Sequence, residues 1–182
     1  MSADDGAGSS GRGPIASRPP RRMPSFGQIV MGAAGAGKTT YCDGVSHYLE
    51  LAGRRCVVVN LDPANARALP YAAALDVRDL IAAEEVAERY RLGPNGSLVF
   101  CMEYLERNVD WLIEKLQGVL DAGSASGGPG ADQSQGTYIL FDCPGQVEIF
   151  AQQTSFRNVI RTLAKRMDLR LAAVHLVDAQ LW

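Results

Sequence analysis

The chain has 182 residues, 47% of them hydrophobic, and a formal net charge of −2. That length buries one core rather than two, and the near-balanced charge, without a long basic run, argues against direct nucleic-acid binding. The four cysteines are scattered, with no CxxC pair, which argues for reduced thiols and against structural zinc, and no apolar run approaches the roughly 20 residues of a membrane span.

Residues 1–24 are rich in Gly, Ser, Pro and Arg and hold little to bury, so they read as a disordered tail. Arg12, Arg18, Arg21 and Arg22 could suggest a transit peptide, but Asp4, Asp5 and the lack of an amphipathic apolar face argue against it. The foldable part is expected over residues 25–182. It opens with a strand-like run, Phe26–Met31, followed by Gly32-Ala33-Ala34-Gly35-Ala36-Gly37-Lys38-Thr39 and a helical pattern from Thr39 to about Ala52 that stops at Gly53. This is a complete phosphate-binding loop between the strand and helix that such a loop requires. Its glycines let successive backbone N–H groups turn toward a phosphate, and the helix start adds the positive end of its dipole. Lys38 brings a point charge to the β- and γ-phosphates, and Thr39 supplies the hydroxyl such loops place on Mg²⁺. Gly35, Ala36, Gly37, Lys38, Thr39 and Thr40 are the candidate nucleotide-binding residues.

Cys56–Leu61 is a short β-branched run that predicts a strand ending at Asp62-Pro63. Val77–Leu92 predicts one or two helices. From Ser97 to Leu120 the apolar residues Leu98, Met102, Leu105, Val109, Leu112, Leu116 and Val119 recur at alternating spacings of four and three. That is a core-facing helical stripe, bent near Arg107-Asn108. Residues 123–136, mostly Gly, Ser and Ala, predict a flexible surface insertion. Thr137–Phe141 predicts a strand ending at Asp142, Val147–Met167 a helix, and Leu169–Val177 an apolar strand ending at Asp178. Such alternation behind a phosphate loop predicts an α/β fold of the P-loop NTPase kind, a mostly parallel sheet with helices on both faces. Ligands in such sheets sit at the carboxyl ends of the strands, where Asp62 and Asp142 both fall.

An aspartate after a strand is by itself an ordinary turn or cap residue. Behind a phosphate loop, and followed by Pro144-Gly145-Gln146, Asp142 takes the Walker B form, an apolar strand delivering a carboxylate beside the Mg²⁺ of a bound nucleotide. Asp62 has two readings, a helix cap before Pro63 and a carboxylate at the catalytic edge. His47, on a helix, and His175, in a strand, lack partners at ligand spacing and read as structural. Cys143 adjoins Asp142 with no base to activate it.

The segment Gly93-Pro94-Asn95-Gly96, followed by Cys101-Met102-Glu103-Tyr104-Leu105 and Asp110-Trp111-Leu112, resembles the defining insertion of the GPN-loop GTPases. Asn60-Leu61-Asp62-Pro63-Ala64-Asn65 and Phe141-Asp142-Cys143-Pro144-Gly145-Gln146-Val147-Glu148 resemble other hallmark segments of that family, and the details are most like its second eukaryotic paralogue. The likeness runs from about Phe26 to Val177. It implies a Mg²⁺-dependent GTPase that works as a dimer, with itself or with a related GPN-loop GTPase. It further implies a role in RNA polymerase II assembly and nuclear import, hence a cytoplasmic protein that shuttles to the nucleus. By motif position, Asn95 of the Gly93-Pro94-Asn95 loop would reach the neighbouring subunit's phosphates, where a side-chain amide can act as an arginine finger does. Asp142 would hold Mg²⁺ through water, together with Thr39. Gln146, Glu148 and Asp62 would orient the attacking water, and Asp76 or Asp79 would belong to switch I. Trp111 and Tyr104 read as packing or interface aromatics.

The family reads guanine with a Thr/Asn-Lys-x-Asp motif that is expected after the strand ending at Asp178. The sequence stops at Trp182, so the resemblance implies a partial chain lacking that motif, and GTP as substrate rests on the resemblance. Two other classes suit the residues alone. One is a P-loop phosphotransferase of small substrates, though no cluster of arginines for a lid follows the sheet. The other is a non-catalytic assembly factor locked by nucleotide, against which Gln146 and Asn95 both count.

Overall fold

A computed structural model describes residues 25–66, 68–125, 136–146 and 154–179. The tail read over residues 1–24 and most of the insertion read over 123–136 lie outside them. The elements run β1 (Ser25–Gly32), α1 (Lys38–Leu51), β2 (Cys56–Asn60), β3 (Ala73–Asp76), a 3₁₀ turn (Val77–Asp79), α2 (Ala83–Tyr90), α3 (Pro94–Arg107), α4 (Val109–Ala125), β4 (Tyr138–Asp142), α5 (Thr154–Arg166) and β5 (Leu169–Leu176). The five strands form one sheet in the order β3-β2-β4-β1-β5, parallel at every pairing.

The central strands are apolar without alternation because both of their faces are covered, as parallel sheets require. Val57, Val59, Ile139 and Phe141 point into the larger core, against Met102 and Leu105 of α3, Leu112 and Leu116 of α4 and Val159 and Leu163 of α5. Val30, Val58 and Leu140 point the other way, onto Cys42 of α1 and Tyr71 of the connection between β2 and β3. Helices therefore cover both faces, giving the three layers expected from the alternation. The periodic stripe over residues 97–120 is two helices, broken at Asn108, whose amide N–H turns back to the Tyr104 and Leu105 carbonyls.

Two elements differ from the sequence reading. β3 was not expected, since Ala-Ala-Leu-Asp has no strand propensity of its own. It is an edge strand held by pairing to β2, so its conformation is tertiary in origin. α3 begins at Pro94, with Gly93 as its cap, so Gly93-Pro94-Asn95 is the first turn of a helix rather than a loop ahead of one. Proline at the first helical position costs nothing, because the amide it lacks would have no partner there. β5 is apolar but lies at the opposite edge, with Ala172, Ala173 and His175 exposed. No helix among the described residues is long and apolar enough to cross a membrane.

Candidate functional site

The order of the strands assembles the site. β4 lies between β1 and β2, with Asp142 paired in register to Val30 on one side and Asn60 on the other. Backbone bonds continue both pairings past the strand ends, from the Cys143 amide to the Val30 carbonyl at 3.3 Å and from the Leu61 amide to the Asp142 carbonyl at 2.8 Å. The carboxyl end of β4 therefore sits between the glycine-rich loop leaving β1 and the Asn60–Asn65 segment leaving β2.

In that loop Gly37 takes φ 87°, a left-handed conformation that a side chain would strain, and it starts α1. The first intrahelical bond runs from the Tyr41 amide to the Gly37 carbonyl at 2.8 Å. The amides of Lys38, Thr39 and Thr40 thus belong to the helix start that has no internal partners, the arrangement that receives an anion. The first turn of α1 carries no acidic residue to compete for them. Lys38 is 7% exposed, and its Nζ donates to the Ala33 carbonyl within the loop at 3.1 Å.

Asp142 is fully buried. Its Oδ2 accepts from the Tyr71 hydroxyl at 2.7 Å and from Asn65 Nδ2 at 3.3 Å. Its Oδ1 accepts nothing among the described residues, although it too is buried. An unpaired buried carboxylate oxygen is costly, which makes this atom a fit for a cation or a cation-bound water. Mg²⁺ in nucleotide sites is held by one or two carboxylates plus phosphates and keeps several waters, so Asp142 and Thr39 suffice. No group of three or more metal-ligating side chains occurs among the described residues, so a self-contained protein cage is absent there.

Asp62 is not a helix cap, because the chain after it makes a turn rather than a helix. Its carboxylate accepts the Ala64 amide at 2.9 Å, closing a local turn across Pro63. It also stands among the phosphate-side groups. Burial pushes its carboxyl above the usual range, the Ala64 and Gly145 amides and the nearby Lys38 pull it back, and Asp142 adds to the rise. Gly145 lies against the loop itself, since a β-carbon there would come within 2.8 Å of Lys38 Nζ and 3.0 Å of the Ala34 α-carbon. Gln146 shares a cavity of about 610 Å³ with Asn65, Asp76, Arg78, Pro94 and Ser97, so the start of α3 and the end of the Asp142 turn open onto one space. Asn95 is exposed. Glu148 lies outside the described residues.

Asp76 ends β3 and is partly buried. It caps the 3₁₀ turn by accepting the Arg78 amide, and the Arg78 guanidinium grips it through Nε and Nη2 at 3.0 and 2.6 Å. Burial works to raise this carboxyl, and the bonds from Arg78 and Asn60 outweigh it and hold it below the usual range. Asn60, fully buried, joins the pieces: it donates to Asp76 at 3.0 Å and accepts from the Asp62 amide at 3.1 Å and from Asn65 at 3.2 Å. Of this network the sequence reading had Asp62, Asp76 and Asp142, and it assigned no role to Asn60, Asn65 or Tyr71. Asn60 and Asn65 lie inside the Asn60–Asn65 motif, whereas Tyr71 sits in an aperiodic connection 71 residues from its partner. Burial pushes the Tyr71 phenol up, and Asp142 pushes it further, so Tyr71 remains a donor. Burial likewise pushes the Cys143 thiol well up and those of Cys56 and Cys101 to about 11, which leaves them unreactive. His47 and His175 are both exposed. Trp111 is partly buried against the larger core, while Tyr104 is 38% exposed and stacks on Phe100 at 6.5 Å.

Residues 30–182 match the model of a family described as a conserved hypothetical ATP binding protein. The chain is 49% identical over 156 residues to the GPN-loop GTPase QQT1 of Arabidopsis thaliana, a match that covers 86% of this chain and 47% of that protein. It is 46% identical over 154 residues to GPN-loop GTPase 2 of Danio rerio, covering 85% and 44%. A crystal structure of a GTPase from Pyrococcus abyssi in apo form superposes with a TM-score of 0.66 at 26% identity, covering 86% of this chain and 55% of that one. The chain spans about half the length of the curated relatives it matches. With a family model over most of its residues and relatives of this similarity, the chain belongs to the GPN-loop GTPase family.

Proposed function

We propose that this chain binds GTP with Mg²⁺ at Gly35–Thr40 and hydrolyses it, and that the protein acts as a dimeric switch. The observation that carries the reading is Asp142: a fully buried carboxylate, one strand over from the phosphate loop, with Oδ1 unpaired among the described residues. The backbone amides at the start of α1 and the Lys38 ammonium bind the phosphates. When bound, Mg²⁺ neutralises charge on the β- and γ-phosphate oxygens, and Asp142 and Thr39 are the residues that would hold it. A water oxygen attacks the γ-phosphorus, the bond to the bridging oxygen breaks, and GDP and inorganic phosphate leave. Gln146, Asp62 and Glu148 are the candidates to orient that water. Of these three, Asp62 is the carboxylate among the described residues, and burial raises its carboxyl above the usual range. The exposed Asn95, on the first turn of α3, is the donor offered to a second subunit.

Family membership supports a biological setting as well. We place the protein in RNA polymerase II assembly and nuclear import, working with a related GPN-loop GTPase in the cytoplasm and shuttling to the nucleus. Co-purification of polymerase subunits with the tagged protein tests this, and their absence under crosslinking would remove it.

Asp142→Asn tests the site. An amide holds a divalent ion poorly, so the Mg²⁺ concentration giving half-maximal turnover is expected to rise roughly tenfold or more. Nucleotide affinity without metal is expected to stay near wild type. An unchanged Mg²⁺ midpoint would show that this carboxylate does other work. Gly145→Ala tests the approach of the turn to the loop. Lys38 can swing away from the new methyl, but the Ala34 backbone must give, an overpacking cost of about 1–3 kcal/mol. Titration with a fluorescent GTP analogue is expected to show affinity lowered by roughly tenfold. Wild-type affinity would mean that the turn does not stay at the loop when nucleotide binds.

A further inference from the structure

Both hydrogen bonds that Asp142 accepts through its side chain fall on one oxygen. Tyr71 and Asn65 donate to Oδ2, and Oδ1 is left without a donor among the described residues. A carboxylate rotated by half a turn would offer the same chemistry in solution, but not here. Tyr71 is 8% exposed and packed against Val30, Val58 and Leu140 and against Cys42 of α1, so its hydroxyl has little freedom to follow. Asn65 is fixed in turn, because the same Nδ2 also donates to Asn60, and the Ala66 carbonyl beside it accepts from Arg78 at 2.6 Å. The connection between β2 and β3 therefore grips one oxygen of Asp142 from two anchored points and leaves the other for whatever binds at the strand end.

We propose that Tyr71, assisted by Asn65, is a positioning residue that orients the Asp142 carboxylate for the divalent cation. The inference rests on the reading of Asp142 as the metal-side carboxylate. Groups that hold a metal-side residue in orientation set the metal's affinity without touching it, and removing one typically costs 10- to 100-fold. A plain core tyrosine would instead affect stability and leave metal binding alone.

The test uses the full-length protein with a non-hydrolysable GTP analogue and Mn²⁺, whose free aquo ion is counted by electron paramagnetic resonance. Mn²⁺ takes the same hard oxygen ligands as Mg²⁺. Tyr71→Phe keeps the ring and removes only the hydroxyl. It is expected to raise the Mn²⁺ half-saturation about tenfold while metal-free affinity for the analogue stays within about twofold. Wild-type Mn²⁺ binding in a Tyr71→Phe protein that melts normally would overturn the inference. Asp142→Asn, run in parallel, separates the two ideas. If it loses Mn²⁺ while Tyr71→Phe does not, the positioning role alone fails. If neither variant loses Mn²⁺, the metal-side reading of Asp142 fails with it. Should Tyr71→Phe not fold, Asn65→Ala carries the test, since that half-exposed side chain can be cut back without opening the core. A rise in its Mn²⁺ half-saturation supports the clamp, and an unchanged value overturns it.

Discussion

Lys38→Ala is expected to lower GTP affinity by about a thousandfold, the largest effect of any single substitution considered. The ammonium is the cation that the phosphate loop itself supplies, and it is held 7% exposed at the mouth of the loop, bonded at 3.1 Å to the Ala33 carbonyl. A charge-assisted bond to phosphate contributes about 1.5–3 kcal/mol, and Lys38 is placed to make two, to the β- and γ-oxygens. Each 1.4 kcal/mol is a factor of ten in affinity. The loss is specific to phosphate, because the bond Lys38 makes among the described residues, to the Ala33 carbonyl, is one that alanine forgoes cheaply. Titration of a fluorescent GTP analogue into variant and wild type, with a melting curve for each, checks both halves. Near-normal affinity in a folded variant would remove the phosphate loop from the account.

Asn95→Ala is expected to cut turnover roughly a hundredfold while nucleotide affinity changes little. A neutral amide contributes most where charge develops on the γ-phosphoryl oxygens, so its loss falls on the chemical step rather than on binding. Asn95 is exposed at the second position of α3, so its truncation leaves the core untouched and stability within about 0.5 kcal/mol. Action across a dimer adds a second expectation. A heterodimer of Asn95→Ala with Lys38→Ala contains one complete composite site, whereas each parent homodimer contains none. Forced pairing is therefore expected to raise activity well above that of either parent. A mixture shown to be dimeric and still inactive would confine Asn95 to its own subunit or to a capping role.

Much of this arrangement could be read from local pattern, and what could not has a common cause. The glycine-rich loop, Asp62 and Asp142 are legible because each is punctuation at a strand end, where the chain must turn and the residue types are constrained. The stripe from Leu98 to Val119 is legible because four-three spacing follows from helix geometry, and even the break at Asn108 leaves a trace in it. β3 left no trace, since its conformation comes from pairing with β2 rather than from Ala73-Ala74-Leu75-Asp76. The same holds for Tyr71 on Asp142 and for Arg78 on the Ala66 carbonyl. Both are side-chain bonds made by aperiodic connections, and no spacing rule reaches across 71 residues. Gly93-Pro94-Asn95 was legible as a motif but not as the first turn of a helix, because proline and glycine signal a turn and a helix start alike.

The most direct measurement is a single-turnover assay of the full-length protein with GTP labelled at the γ-phosphate, in Mg²⁺ and with ATP in parallel. Inorganic phosphate is expected from GTP, dependent on Mg²⁺ and lost in Lys38→Ala. Label is expected to stay out of any small-molecule acceptor supplied from a cell extract. Label recovered on an acceptor would make the protein a phosphotransferase. Tight GTP binding with no phosphate released, alone or as a dimer, would rule out GTP hydrolysis and leave a nucleotide-locked assembly factor.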